Sequence, residues 1–97
     1  MSTLFDARSK EDVLNALREG AAIDARDDDQ DTPLHWACRN GHREVAMALI
    51  EKGAAIDARD DDQDTPLHLA CDDNHLEVAM ALIEKGAAID EIGRAHV

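Results

Sequence analysis

The residues best suited to chemistry are aspartates, and they come in two sets. Asp24, Asp27, Asp28, Asp29 and Asp31 recur as Asp57, Asp60, Asp61, Asp62 and Asp64. Asp27, Asp29 and Asp31 have the alternate spacing with which a calcium loop opens. The positions that would complete the loop are wrong for it. Thr32 stands where a glycine is needed, and Cys38 where a bidentate glutamate should close the loop. A helix start at Thr32-Pro33 also stops the chain from wrapping a cation, so the acids read as solvated loop residues. His35, Cys38 and His42 recur as His68, Cys71 and His75, ligand types that suit zinc. No Cys-x-x-Cys pair accompanies them, and both histidines fall where turns need them. The expectation is therefore no metal and no cofactor. Catalysis finds no footing either: there is no glycine-rich phosphate loop, no tyrosine, and no serine after Ser9. Cys38 is expected to face the core, where a thiolate is disfavoured. The chain reads as a non-enzyme.

These residues lie inside a unit that the chain states twice. Residues 21–53 and 54–86 differ only at Trp36/Leu69, Arg39/Asp72, Asn40/Asp73, Gly41/Asn74 and Arg43/Leu76. A fixed period of 33 residues is the mark of stacked units that bury their apolar faces against neighbours. Thr32 before Pro33 predicts a capped helix start, with His35 placed to meet the Thr32 hydroxyl. Leu34, Ala37 and Cys38 follow as an apolar stripe, and Gly41 suits the left-handed stop of that short helix. A second helix is predicted from about Arg43 to Lys52, with Val45, Ala46, Leu49 and Ile50 on one side and Gly53 as its stop. The segment AAIDARDDDQD before the next Thr-Pro is too polar for a buried strand and predicts a projecting loop or hairpin.

The pattern resembles the ankyrin repeat. Thr-Pro-Leu-His stands at 32–35 and 65–68, an Asn-Gly-His turn at 40–42, Glu-Val at 44–45 and 77–78, and Gly-Ala-Ala-Ile-Asp-Ala at 53–58. The likeness runs over about residues 3–90. It implies an all-α solenoid of three antiparallel helix pairs joined by hairpin-like loops. The chain 1–97 then divides into a capping repeat 1–25, repeats 26–58 and 59–90, and a non-repeat tail 91–97. In the capping repeat, Leu4, Phe5 and Ala7 predict a short first helix and 11–19 a second, with Ser9 or Asp12 as its cap. Two departures from the family pattern stand out. Gln30 and Gln63 occupy hairpin tips where glycine is favoured, and Asn74 replaces a helix-ending glycine.

In stacks of this kind, hairpins and first helices line a concave groove that holds protein partners. The resemblance thus assigns Asp28, Asp29, Asp31, Trp36, Arg39 and Asn40, with Asp61, Asp62, Asp64, Asp72 and Asp73, to partner binding. Trp36 also reads as packing between repeats, and the differences at 39–43 read equally as drift at tolerant surface sites. Lys and Arg number 10 against 22 for Asp and Glu, for a net charge of −12. That balance argues against direct binding of nucleic acid or an anionic membrane and favours a basic protein partner. No apolar run approaches a membrane span, and no signal segment is recognised. Cys38 and Cys71 occupy equivalent places in units stacked about 8–10 Å apart, beyond the roughly 7 Å that a disulfide tolerates. Free thiols suit a cytoplasmic location.

Two other readings use the same residues. A slice of a longer scaffold would leave Val78, Ala79, Leu82 and Ile83 uncovered and drive homodimerisation through the carboxyl-terminal face. Aspartates spaced once per repeat also invite a nucleic-acid mimic that inhibits a DNA-binding enzyme. The tail Glu91-Ile-Gly-Arg-Ala-His-Val97 can be written in codons that reproduce a widely used short-read sequencing adapter. The expectation is adapter read-through into a gene cut within a longer array; the alternatives are a genuine short terminus or a designed chain. Sequencing the parent DNA past Asp90 is expected to show the repeat continuing, and a native stop after Val97 would end that reading.

Overall fold

The computed structural model describes residues 4–87. The tail 91–97, with its adapter reading, and residues 88–90 of the last repeat lie outside them. A 3-10 turn, Leu4–Asp6, comes first, followed by α1 (Lys10–Arg18), α2 (Pro33–Arg39), α3 (Arg43–Glu51), α4 (Pro66–Asp72) and α5 (Leu76–Glu84). Among the described residues there are helices and no strands, in agreement with the all-α reading. The first pair departs in one respect, since only the three-residue turn stands where the other pairs have a seven-residue helix. Ser9, rather than Asp12, caps α1 by accepting the Asp12 N–H at 3.2 Å.

The repeated helices start as the sequence requires. Thr32 is extended at φ −90° and its hydroxyl accepts the His35 N–H at 3.3 Å. Pro33 fills the first helical position, where a missing N–H costs nothing. Their ends are equally regular. At the end of α2 the His42 N–H reaches the Ala37 carbonyl at 2.9 Å and the Gly41 N–H the Cys38 carbonyl at 3.3 Å. This double bond pattern requires a left-handed residue, and Gly41 supplies it at φ +72°. At the end of α4 the same pair of bonds forms around Asn74 at φ +62°. The exchange has a packing reason. A Cβ on Gly41 would lie 2.7 Å from the His75 ring of the next repeat, whereas Asn74 is exposed.

The helix pairs stack: α2 packs on α4, α3 on α5, and α1 on α3. The shape follows, with principal extents of 45 × 25 × 21 Å. Leu34, Leu49, Leu67, Leu82, Val13, Val45 and Val78 are buried at 2% exposure or less and form one continuous core through all three units. Each such side chain contributes about 1.5–3 kcal/mol on leaving water. Small residues, Ala37, Cys38, Ala46, Ala48 and Ala70, let the helices approach closely.

The aspartate segments are tight hairpin loops. The Asp27 N–H donates to the Asp31 carbonyl at 3.0 Å, and the Gln30 N–H to the Asp27 carbonyl at 2.9 Å. A turn followed by one left-handed residue closes such a loop, and that residue is glutamine: Gln30 at φ +64° and Gln63 at φ +67°. A left-handed backbone costs a residue with a side chain about 1–2 kcal/mol, while glycine carries a smaller entropic cost of about 0.5–1 kcal/mol. Gln63→Gly is therefore expected to stabilise the protein by about 0.5 kcal/mol in urea unfolding; a loss of stability would contradict the strain at this tip.

Candidate functional site

Among the described residues, four inter-repeat hydrogen bonds hold the hairpins and short helices in register, and they set the geometry of the candidate surface. The Ala55 N–H donates to Asp24 Oδ1 at 2.9 Å. Arg26 Nη1 donates to the Gln30 carbonyl at 2.8 Å and, across the joint, to the Arg59 carbonyl at 2.6 Å. The Asp61 N–H donates to the Asp29 carbonyl at 3.0 Å, tying one hairpin tip to the next. The fourth bond runs through His35. Its Nδ1 accepts the Thr32 N–H at 3.1 Å, so the proton sits on Nε2, which donates to the Asp64 carbonyl at 2.9 Å. Burial lowers the pKa of this imidazole, more than the Asp64 carbonyl and the Asp60 charge raise it, and it stays neutral with both nitrogens engaged.

On the same side, Trp36 is half-buried and joins a small polar cluster. Its Nε1–H donates to Asp27 Oδ2 at 2.8 Å, and the Arg39 guanidinium lies 5.0 Å from its ring centroid, in cation–π range. Arg39 also donates to Asp31 Oδ2 at 3.2 Å. Burial alone would raise the Asp27 carboxyl. The Trp36 hydrogen bond, the backbone N–H groups of Asp31 and Asp29, and the Arg39 charge together hold it below the ordinary carboxylate value. The reading of Trp36 as inter-repeat core is thus only half right: the ring packs, but its edge and one face belong to this cluster. Its counterpart Leu69 is buried.

The expected partner-binding residues divide into three groups. Asp28, Asp29, Asn40, Asp61, Asp62, Asp72 and Asp73 are exposed. Trp36, Arg39 and Asp64 are half-buried. Asp31 is corrected: it is 1% exposed, not a solvated tip. It directly precedes the Thr32 cap, so its side chain points back into the joint, where the next hairpin covers it. Asp60, read with it as a solvated acid, is also buried, at 6% exposure. No feature of the repeat pattern marked Asp60 as different from its exposed neighbours; its partner lies 29 residues earlier in the chain.

The self-association surface is corrected in the same way. Val78, Ala79 and Leu82 are buried, and only Ile83 of the four is exposed, at 45%. The exposed apolar stripe is Leu76, Met80 and Ile83. Val78, Ala79 and Leu82, spaced i, i+1 and i+4, face α4 and α3, whereas 76, 80 and 83 share a neighbouring stripe about a third of a turn round α5. Leu76 and Met80 went unrecognised, although their spacing was the available signal. Leu4, Phe5, Pro33, Trp36, Asn40 and Val45 are among the residues lining a cleft of about 370 Å³ beside the first turn. Both cysteines are free, Cys38 buried and Cys71 exposed. Burial pushes the Cys38 thiol up to about 12; burial and the Asp72 charge raise that of Cys71. Neither is a poised nucleophile. Asp27, Asp29 and Asp31 do bring oxygens together, as do Asp60, Asp62 and Asp64. Yet Asp27 Oδ1 is committed to the backbone N–H groups of Asp29 and Asp31, and Asp60 Oδ1 to those of Asp62 and Asp64. Among the described residues no helix is long and apolar enough to cross a membrane.

Comparison with known proteins agrees with this architecture. The family profile described as ankyrin repeats (3 copies) matches residues 4–92. Among individual proteins, the chain is similar to acyl-CoA-binding domain-containing protein 1 of Arabidopsis thaliana, with 44% identity over 41 residues. It is also similar to acyl-CoA-binding domain-containing protein 2 of the same plant, with 39% identity over 41 residues. Each match takes in 42% of this chain and 12% of the relative's length. The cluster around the indole generates a prediction of its own. Trp36→Phe keeps a ring beneath Arg39 but removes the donor to Asp27, and is expected to cost about 1 kcal/mol in urea unfolding followed by circular dichroism. An unchanged midpoint would mean that this hydrogen bond contributes nothing.

Proposed function

The chain belongs to the ankyrin-repeat family, whose repeats generally mediate protein–protein interaction, and from that premise we propose that it binds a basic protein surface through its acidic hairpin tips and short-helix ends. The observation that carries the reading is the exposure of six aspartates, Asp28, Asp29, Asp61, Asp62, Asp72 and Asp73. Among the described residues none of the six is in a salt bridge. The hydrogen bond between the tips at Asp29 and Asp61 presents them from adjoining loops, and the net charge of −12 adds a long-range field. Trp36, half-buried, and Asn40, exposed, add part of an indole ring and an amide within the same short helix and its cap. Recognition of this kind is spread over a surface, of about 800 Å² per partner at standard size. It is steered by charge and weakened by salt.

A second reading rests on the stripe Leu76, Met80 and Ile83. In the preceding repeat the matching positions are Arg43, Met47 and Ile50, with Met47 and Ile50 half-buried. A further helix pair would cover the stripe as α5 covers part of α3. In that reading the chain is a slice of a longer scaffold and, alone, pairs with a second copy. Met80→Glu is then expected to convert a dimer into a monomer in analytical ultracentrifugation. A wild-type chain that stays monomeric at high concentration would count against this second reading.

For the first reading the experiment is capture from a cell lysate by the wild type and by a variant with Asp61, Asp62, Asp72 and Asp73 changed to lysine. Bound proteins are expected to be basic, to be released as salt rises, and to be lost with the variant. Capture that survives both high salt and the charge reversal would overturn an electrostatic interface.

A further inference from the structure

The joint between the two full repeats holds two buried carboxyls face to face. Asp31 is 1% exposed and Asp60 6%. Arg39 Nη2 takes Asp31 Oδ2 at 3.2 Å, but Asp31 Oδ1 is buried with no hydrogen-bond partner among the described atoms. An acceptor buried in this way is costly unless something bridges it. Asp60 across the joint and His35 on α2 face Asp31: one ligand atom of each lies with a carboxylate oxygen of Asp31 in a group within 4.8 Å of one another.

The commitments of the surrounding atoms decide what can bridge it. His35 offers nothing, because Nδ1 accepts the Thr32 N–H and Nε2–H donates to the Asp64 carbonyl. Asp60 Oδ1 accepts the Asp62 and Asp64 N–H groups at 3.0 and 2.9 Å. Two oxygens remain uncommitted: Asp31 Oδ1 and the second oxygen of Asp60. A calcium ion needs about six to eight oxygens and a zinc ion about four donors. A proton needs two. Two ionised carboxylates in so dry a place repel each other, and one shared proton removes the repulsion and satisfies the orphaned oxygen.

We propose that Asp31 and Asp60 form a proton-binding site, holding one proton between their carboxyls and so coupling the joint between the two repeats to pH. The site stands independently of the acidic-surface reading, since neither carboxyl is free to meet a partner. The titratable groups facing the pair are Arg39 and the neutral His35 on α2, Asp27 on the Asp31 hairpin, and Asp64 on the Asp60 hairpin. Burial, then the Asp60 hydrogen bond, raise Asp31 to about 7 against the pull of Arg39. Burial alone would raise Asp60 as well, but hydrogen bonds from Asp31 and from the Asp64 and Asp62 backbone hold it below the ordinary carboxylate value.

The sign of the coupling follows. The folded joint binds a proton that the unfolded chain has already released, so its contribution is complete below the unfolded carboxyl pKa. It fades as pH rises towards 7. His35 acts in the opposite sense: its lowered pKa gives a contribution that is complete above the ordinary histidine value and is lost as pH falls. Asp64, raised by burial and by Asp60, leans the same way as Asp31. A difference between wild type and a variant is therefore needed to isolate the site.

The test has two arms. Carboxyl-carbon NMR of the wild type across pH is expected to show one aspartate whose midpoint is shifted up by about 3 units, and Asp31→Asn is expected to abolish that titration. In urea unfolding, the wild-type stability constant is expected to fall against that of Asp31→Asn by up to tenfold per pH unit between about pH 4 and pH 7, with a constant ratio above. Asp73→Asn serves as the exposed control and should run parallel to wild type. Every aspartate of the wild type titrating below about pH 5 would overturn the proposal, even if the variant fails to fold. So would parallel stability curves for wild type and Asp31→Asn. Stoichiometric uptake of calcium or zinc ions, lost in Asp31→Asn and Asp60→Asn, would replace the proton by a metal.

Discussion

A helix pair this small cannot bury its own apolar face, and everything else in the molecule answers to that constraint. Each pair leans on the next, so Leu34, Leu49, Leu67 and Leu82 are removed from water only because the stack exists. The polar edge of the same joint is stitched by backbone-directed bonds, with the neutral imidazole of His35 at the centre. One ring closes its own helix cap through Thr32 and reaches the next repeat through the Asp64 carbonyl. Local structure and stacking thus share a single side chain. Protonating it would place a hydrogen on the nitrogen that accepts the Thr32 N–H.

The same constraint explains where the two copies diverge. Gly41 is pressed by the His75 ring of the following repeat and must remain glycine on two counts, its φ and its missing Cβ. Asn74, at the equivalent place, meets only the first requirement, and asparagine tolerates it. Cys38 is buried while Cys71 is exposed, and His35 is buried while His68 is only partly so. Identical residues therefore have different environments, set by what packs against them among the described residues.

Charge is handled by the same rule of position. The exposed aspartates at the tips keep their solvation and their reach. Asp31 and Asp60 lie between two hairpins with their carboxyls close together, Asp31 held by Arg39 and Asp60 by backbone N–H groups. Trp36 connects the two regimes, packing its ring beneath Arg39 while its N–H holds Asp27 on the hairpin.

Much of this was legible in the residues alone. The 33-residue period, the Thr-Pro-Leu-His caps, the stop at Gly41 and the left-handed strain at Gln30 and Gln63 are matters of local geometry, and short-range sequence determines local geometry. The inward set Val45, Ala46 and Leu49 was equally readable, because helical periodicity orders it. What only the tertiary structure decided depends on neighbours distant in the chain. It turned Asp31 inward, paired it with Asp60 from the next hairpin, and put Leu76, Met80 and Ile83, instead of Val78, Ala79 and Leu82, on the open side of α5. Periodicity ranks residues around a helix, but it cannot say which of two apolar sides a second helix will cover. Nor can a run of aspartates show which one lies beneath the next loop, since burial is a property of the joint and not of the residue.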